Sequence, residues 1–83
     1  MSDVERRPIT SFAAPYRREV RLEEARFESG MKMLRVIVRE GHRITQLDLD
    51  AATARGWGEA MVAWAAAREA AGDEGPSEVA EGA

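Results

Sequence analysis

The sequence predicts a small α+β domain in which a three-stranded antiparallel sheet (a meander) is followed by one C-terminal helix packed on one face, in the order β-β-β-α. Three observations predict it: apolar and polar residues alternate from Arg18 onward, two glycine-containing turns divide this region, and a long alanine-rich stretch follows Asp50. Strand side chains alternate with a period of two and helical ones repeat every 3.6 residues, so the change of period marks the change of element.

The composition allows one short cytoplasmic domain. The chain has 83 residues, of which 45% are hydrophobic and 33% charged, as in ordinary globular proteins. It contains no cysteine, which excludes disulfides, thiol catalysis and thiolate metal sites. Its longest apolar run, residues 60–67, is far shorter than the roughly 18 residues of a membrane span. The first residues lack the apolar stretch of a secretion signal, and the preference for arginine over lysine is typical of GC-rich bacterial genomes.

The charge distribution argues against nucleic acid as the partner. The net charge is −3, and residues 72–83 contribute four acidic groups and no basic one. Residues 17–71 carry ten basic and nine acidic groups, so the predicted domain is nearly neutral. A nucleic-acid-binding domain usually shows a clustered basic surplus instead.

The chain is divided into three segments. Residues 1–16 are predicted to be an extended or flexible N-terminal arm, because Pro8 and Pro15 each remove a backbone donor and no period is sustained. Residues 17–71 form the β-β-β-α domain. Residues 72–83 are predicted to be a disordered acidic tail, because Gly72 ends the helix and only Val79 is a sizeable apolar residue beyond it.

The first predicted strand contains a break in its alternation. Val20 and Leu22 share one parity, whereas Ala25 and Phe27 share the other. One extra residue at Glu23-Glu24, a β-bulge, would return all four side chains to the same face of the sheet. We therefore expect a bulge in this strand.

Two tight turns determine the predicted strand pairing. Ser29-Gly30 and Glu40-Gly41 are predicted to be two-residue turns, because glycine accepts positive φ. On the core face, the resulting pairs are Leu34 with Leu47 and Val36 with Thr45. On the opposite face, the pairs are Ile37 with Ile44, Arg35 with Gln46 and Met33 with Asp48.

The helix is predicted from Ala51 to about Ala71, with Asp50 as its N-cap, because a carboxylate there can accept from the free amides of the first turn. Trp57, Met61 and Trp64 recur at helical spacing and face the sheet, with Trp64 the less covered. The predicted core consists of Val20, Leu22, Phe27, Leu34, Val36, Leu47, Leu49, Trp57 and Met61.

No catalytic residue, cofactor or metal ion is predicted, and we do not expect an enzyme. His42 is the single histidine and lies in a turn, where a solvated side chain is the better interpretation than a ligand. Asp48 and Asp50 are better explained as a strand-end carboxylate and a helix cap than as a catalytic pair. Gly56 and Gly58 lie inside the helix, so they do not form a phosphate-binding loop; close approach of a backbone, from the sheet or another chain, is one explanation for them.

Size predicts association. About 55 ordered residues without disulfides or a metal are marginal as a monomer, so we expect a homodimer. The candidate interface is the sheet face opposite the helix, and its residues, with Trp64 added from the helix, are Met33, Ile37, Ile44, Arg35, Arg39 and Trp64. A dimer through Gly58 and Trp64 of the helix, or through the edge of the first strand, remains an alternative.

The function class that the sequence favours is a small, non-enzymatic, self-associating interaction or accessory module of the bacterial cytoplasm, with a protein partner whose identity is open. The alternative is a nucleic-acid-binding protein that uses Arg21, Arg35 and Arg39 on the open sheet face. Single-strand binders also place aromatic rings on such a surface for bases to stack on, and the predicted open face offers none.

Overall fold

The computed structural model describes residues 4–72, which form four strands and one helix. The elements are β1 (Glu5–Ala14), β2 (Arg18–Arg26), β3 (Lys32–Glu40), β4 (Arg43–Leu49) and α1 (Ala51–Ala70). The strands pair in sequence order as one antiparallel sheet, and α1 follows β4. An antiparallel sheet with a C-terminal helix is confirmed, but the sheet has four strands instead of three. The predicted tail from residue 73 onward lies outside the described residues.

β1 occupies most of the segment that the sequence predicted to be an arm. It pairs with β2 from Glu5 opposite Arg26 to Ala14 opposite Arg18. Pro8 is tolerated because β1 is an edge strand and because the register shifts directly after it, leaving Ile9 as an extra residue. The prolines therefore permit a strand at the edge of the sheet, where we expected none.

β2 is regular where the sequence predicted a bulge. Its pairing with β3 continues without a break through Glu23 and Glu24, and the bulge lies in the facing strand at Ile9. As a result Ala25, which is completely buried, lies on the other side of the sheet from Leu22. Phe27 follows the end of β2 and belongs to the turn.

The turn between β2 and β3 is longer than predicted. Five residues, 27–31, separate the paired Arg26 and Lys32. The Phe27 carbonyl accepts from the Gly30 amide at 2.8 Å, and the Phe27 amide donates to the Met31 carbonyl at 2.8 Å. Gly30 has φ +94°, so a residue with a side chain would be strained there.

The turn between β3 and β4 consists of Gly41 and His42, with Glu40 paired to Arg43. Gly41 has φ +62° at the first central position, where a type II′ turn requires positive φ. The sequence prediction centred this turn one residue earlier, and its β3–β4 pairs are therefore corrected by two residues. In the structure Ile37 lies opposite Gln46, and Ile44 lies opposite Arg39.

A register shift of two residues leaves every side chain on the same face, because the strand period is two. One side of the sheet, which we call the apolar face, carries Phe12, Val20, Leu22, Leu34, Val36, Val38, Leu47 and Leu49. Charged side chains lie on the same side toward the strand ends, namely Glu5, Arg7, Arg18, Glu24, Arg26, Lys32, Glu40 and Arg43. The other side, which we call the charged face, carries Arg6, Glu19, Arg21, Glu23, Arg35, Arg39 and Asp48, together with Ala25, Met33, Ile37 and Ile44.

Both ends of α1 are capped, the first by a side chain and the last by backbone hydrogen bonds. The Asp50 carboxylate accepts from the Thr53 amide at 2.8 Å, so Asp50 is the N-cap. After Ala70 the chain reaches Gly72 at φ +80°, whose amide donates to the Glu69 carbonyl at 3.0 Å. This left-handed residue ends the helix in the way that glycine usually does.

The helix does not lie across the sheet. α1 contacts β3 and β4 but neither β1 nor β2, and no residue of α1 is buried. The physical reason is the connection: Asp50 alone separates β4 from α1, so no loop is present that would turn the helix back over the first two strands.

The sheet and helix consequently enclose little core. Among the described residues the buried apolar side chains are Ala25, Val36 and Leu49. Of the predicted core, Val36 and Leu49 are buried, Val20, Leu22, Phe27 and Leu34 are half-buried, and Leu47, Trp57 and Met61 are exposed. The two helical side chains that we expected to cover the sheet are 43% exposed at Trp57 and 63% exposed at Met61.

Candidate functional site

The apolar face presents continuous rows of side chains across all four strands. One row consists of Phe12, Val20, Val38 and Thr45, and the next consists of Thr10, Leu22, Val36 and Leu47. Phe12, at the β1 end of its row, is 53% exposed, and Leu47, at the β4 end of the other, is also exposed. An antiparallel sheet usually has one apolar face that is packed against another layer. Here that layer covers only part of the face.

α1 presents a second apolar surface. Trp64 and Val62 are each 68% exposed, and Trp57 and Met61 are exposed beside them. The side chains of α1 that carry polar groups are Thr53, Arg55, Glu59, Arg68 and Glu69. A helix that is apolar around most of its circumference is normally surrounded by other elements. In the single chain, α1 has the sheet on one side only.

An open groove of about 790 Å³ lies between α1 and the apolar face. Leu34 lines it from the sheet, and Ala54, Gly58 and Val62 are among the residues that line it from the helix. A Cβ placed on Gly58 would meet no atom within 4 Å, and the same holds at Gly56. The close backbone approach that these glycines permit is therefore not used by the chain's own sheet.

The charged face is held by cross-strand ion pairs. Arg35 and Asp48 lie opposite each other and form two hydrogen bonds, at 2.9 Å from Nε and 3.1 Å from Nη2. The hydrogen bond from Arg35 holds the pKa of Asp48 below its usual value, and the same bond raises the pKa of Arg35. Glu23, opposite Arg35 on the other side, is buried, and its Oε1 lies 3.9 Å from Nε of Arg6 without a hydrogen bond.

The structure changes the neighbours of the interface residues predicted on this face. Ile44 is 58% exposed, but Met33 and Ile37 are half-buried. Because of the corrected register, Ile44 lies opposite Arg39, not opposite Ile37. Ile37 and Ile44 instead line a groove of about 290 Å³ together with Arg6, Glu19, Arg21, Arg39 and Gln46.

Trp64, the predicted interface residue on the helix, lies on the exposed apolar surface of α1. Phe12 and Val62 are exposed apolar side chains like Trp64, but they were not predicted as interface residues. Phe12 was assigned to the arm, as a residue that could pin it to the domain, because residues 10–14 show no alternation of polar and apolar side chains that would predict a strand. Val62 gave no separate signal within the apolar run of residues 60–67.

Other kinds of site have little support among residues 4–72. His42 is exposed in the β3–β4 turn. The described residues include no group of three or more histidine, aspartate or glutamate side chains that could hold a metal ion. They also include no helix with the length and apolar character needed to span a membrane.

Comparison with known proteins identifies a family for this chain. The chain matches a protein-family model described as a family of unknown function (DUF6967) over residues 3–67, which spans all four strands and most of α1. No curated protein and no solved structure matches the chain.

Proposed function

The chain belongs to the DUF6967 family, a family of unknown function, and we propose that it is a small, non-enzymatic accessory module of the bacterial cytoplasm that acts by self-association. The observation that supports this proposal is the exposure of two apolar surfaces, the apolar face and α1, while residues 4–72 enclose almost no core. The association has a structural role, because it completes the hydrophobic core.

The first argument concerns stability. Burial of apolar surface, at roughly 25 cal/mol per Å², is the main favourable contribution to folding, and it must offset a large loss of conformational entropy. Ala25, Val36 and Leu49 alone do not provide such a contribution. The chain has no cysteine for a disulfide. Association is then the remaining source of buried apolar surface.

The second argument concerns the size of the exposed surface. Six large side chains are exposed on α1 and the apolar face, namely Phe12, Leu47, Trp57, Met61, Val62 and Trp64. Together they expose on the order of 600 Å². This area is divided between the sheet and the helix, and its sum approaches the roughly 800 Å² that each partner contributes to a standard interface.

Sedimentation equilibrium of the full chain tests the proposal. We expect a dimer or a higher closed oligomer at protein concentrations from ~1 to ~100 μM, because stable dimers have dissociation constants in or below this range. A chain that sediments as a folded monomer at ~100 μM would show that self-association is not its function.

A nucleic-acid-binding function is the second candidate, and the groove lined by Arg6, Arg21 and Arg39 favours it. Two of these arginines lie near carboxylates, since Arg21 is 3.5 Å from Glu19 and Arg6 is 3.9 Å from Glu23. These neighbours weaken the attraction for phosphates. Fluorescence anisotropy with a labelled single-stranded oligonucleotide at ~150 mM salt distinguishes the functions: micromolar affinity that falls steeply with salt would favour nucleic-acid binding.

A further inference from the structure

We propose that the occupant of the open half of the apolar face is α1 of a second copy of this chain, in a reciprocal arrangement with two-fold symmetry. This inference rests on the proposed function and specifies its interface. It places the contact on the apolar face and α1, and it leaves the charged face, where the sequence predicted the dimer interface, directed outward.

The uncovered area has the width of a helix. The chain's own α1 contacts β3 and β4, so the half of the apolar face formed by β1 and β2 has no helix over it. Adjacent strands lie about 4.8 Å apart, which makes two strands about 10 Å wide. A helix with its side chains is about 10 Å in diameter. One further helix therefore covers the open half of the sheet.

The length also fits. The 20 residues of α1 extend over about 30 Å at 1.5 Å per residue. The strands that would lie beneath it have 10 residues in β1 and 9 in β2, each also about 30 Å long at 3.3 Å per residue. A helix laid along these strands would cover the rows of Thr10 with Leu22 and Phe12 with Val20 at its middle. Its ends would lie over the charged side chains at the strand ends, Arg7 and Glu24 at one end and Arg18 at the other.

The chemistry of the two surfaces matches as well. Trp57, Met61 and Trp64 on α1 and Phe12, Val20 and Leu22 on the sheet are all apolar. Each copy carries both surfaces, so a two-fold axis buries two equivalent helix-on-sheet contacts at once. The ion pair of Arg18 with Glu40, at 2.8 Å, lies at the end of this face and would form part of a polar rim.

The charged face is the less suitable surface for a second copy. Burying Arg6, Arg21 and Glu19, whose side chains are 57%, 50% and 41% exposed, against another charged face would remove the water that solvates their charges. Its exposed apolar side chain, Ile44, lies opposite Arg39. Ile44 is the matched control for Trp64, because the two apolar side chains are similarly exposed, at 58% and 68%. Ile44 lies on the charged face and Trp64 on α1, so each reports on one of the two competing interfaces.

Cross-linking between copies tests the arrangement directly, because the chain has no cysteine of its own. A Trp64→Cys chain is unfolded and refolded together with a longer, tagged chain that carries Phe12→Cys, and the mixture is treated with a bis-maleimide of ~10 Å reach. We expect the mixed product to form at least fivefold more than when the tagged chain carries Ile44→Cys. An equal or larger yield with Ile44→Cys overturns the arrangement.

Charge substitutions provide a second measurement. We expect Trp64→Glu to raise the dissociation constant at least tenfold and Ile44→Glu to change it less than about twofold, as measured by sedimentation equilibrium. The reverse order places the interface on the charged face and contradicts this inference while the proposed function stands. If the unmodified chain is monomeric at ~100 μM, both are wrong. If Trp64→Glu does not fold, the cross-linking yields decide.

Discussion

The pair of Arg35 and Asp48 shows how single residues select the register of the sheet. The observed β3–β4 pairing places the guanidinium directly opposite the carboxylate, whereas the register predicted from the sequence placed Arg35 opposite Gln46. The Arg35 side chain is only 12% exposed and that of Asp48 only 25% exposed, so both groups need a partner more than surface ions do. The observed register satisfies them.

Replacing Asp48 with asparagine is therefore expected to lower the free energy of unfolding by about 1 to 2 kcal/mol, because the guanidinium stays partly buried without its anion. Urea unfolding followed by circular dichroism measures this change. Glu40→Gln is the control, since the Arg18–Glu40 pair is 37% and 44% exposed and such surface pairs contribute less than about 1 kcal/mol. Equal losses in the two variants would contradict the prediction.

The same pair determines a pH dependence. The pKa of Asp48 is lowered in the folded state by the hydrogen bond from Arg35, so its contribution to stability is complete above the ordinary aspartate pKa of about 4. It is lost as the pH falls through the lowered pKa. We expect the stability difference between the parent and Asp48→Asn to shrink below about pH 4. A difference that stays constant down to ~pH 2 would show that the charge of Asp48 is not responsible.

At the level of the elements, the turn between β1 and β2 stores backbone strain. Tyr16 has φ +65° and Arg17 has φ +62°, although neither is glycine. Left-handed conformations cost residues with side chains roughly 1 to 2 kcal/mol each. The Arg18 guanidinium lies 5.6 Å from the centre of the Tyr16 ring, and this cation–π contact helps to hold the turn.

Arg17→Gly is expected to raise the free energy of unfolding by about 0.5 to 1 kcal/mol, because glycine adopts this conformation without strain but loses more entropy on folding. Gly41→Ala, at φ +62° in the β3–β4 turn, is the control and should lower stability by about 1 kcal/mol or more. Both are measured by thermal and urea unfolding at one protein concentration. A loss of stability in Arg17→Gly would mean that this side chain has a contact that outweighs the strain.

For the whole molecule, folding and association are expected to be one process. If the second copy completes the core, mass action makes the stability depend on protein concentration. The melting temperature should then rise by about 3 to 5 °C for each tenfold increase between ~1 and ~100 μM. Differential scanning calorimetry measures this, and Trp64→Glu, which weakens association, should melt at a lower temperature than the parent at every concentration. A melting temperature that is constant over this range would contradict coupled folding.

Several elements followed from the sequence because they depend on local interactions. The β-branched run in β3 predicts a strand, the glycines at 30 and 41 predict turns, and Asp50 at the start of an alanine-rich segment predicts a helix start. Strand periodicity also assigned the residues of β3 and β4 to their faces, since that assignment survives a shift of two residues. β1 was missed because Pro8 and Pro15 suggest a break in structure, and only a neighbouring strand shows that Pro8 lies at an edge.

The sequence by itself determined the α+β order, the antiparallel sheet, the two kinds of face and the helix start at Asp50, because each follows from periodicity or from a backbone requirement of a few adjacent residues. The tertiary structure alone decided the β3–β4 register, the bulge at Ile9 and the position of α1 relative to the sheet. Helical spacing marks Trp57 and Met61 as apolar but does not say which surface covers them. The covering surface depends on the direction that α1 takes after the single connecting residue, Asp50, and this direction is set by the tertiary structure.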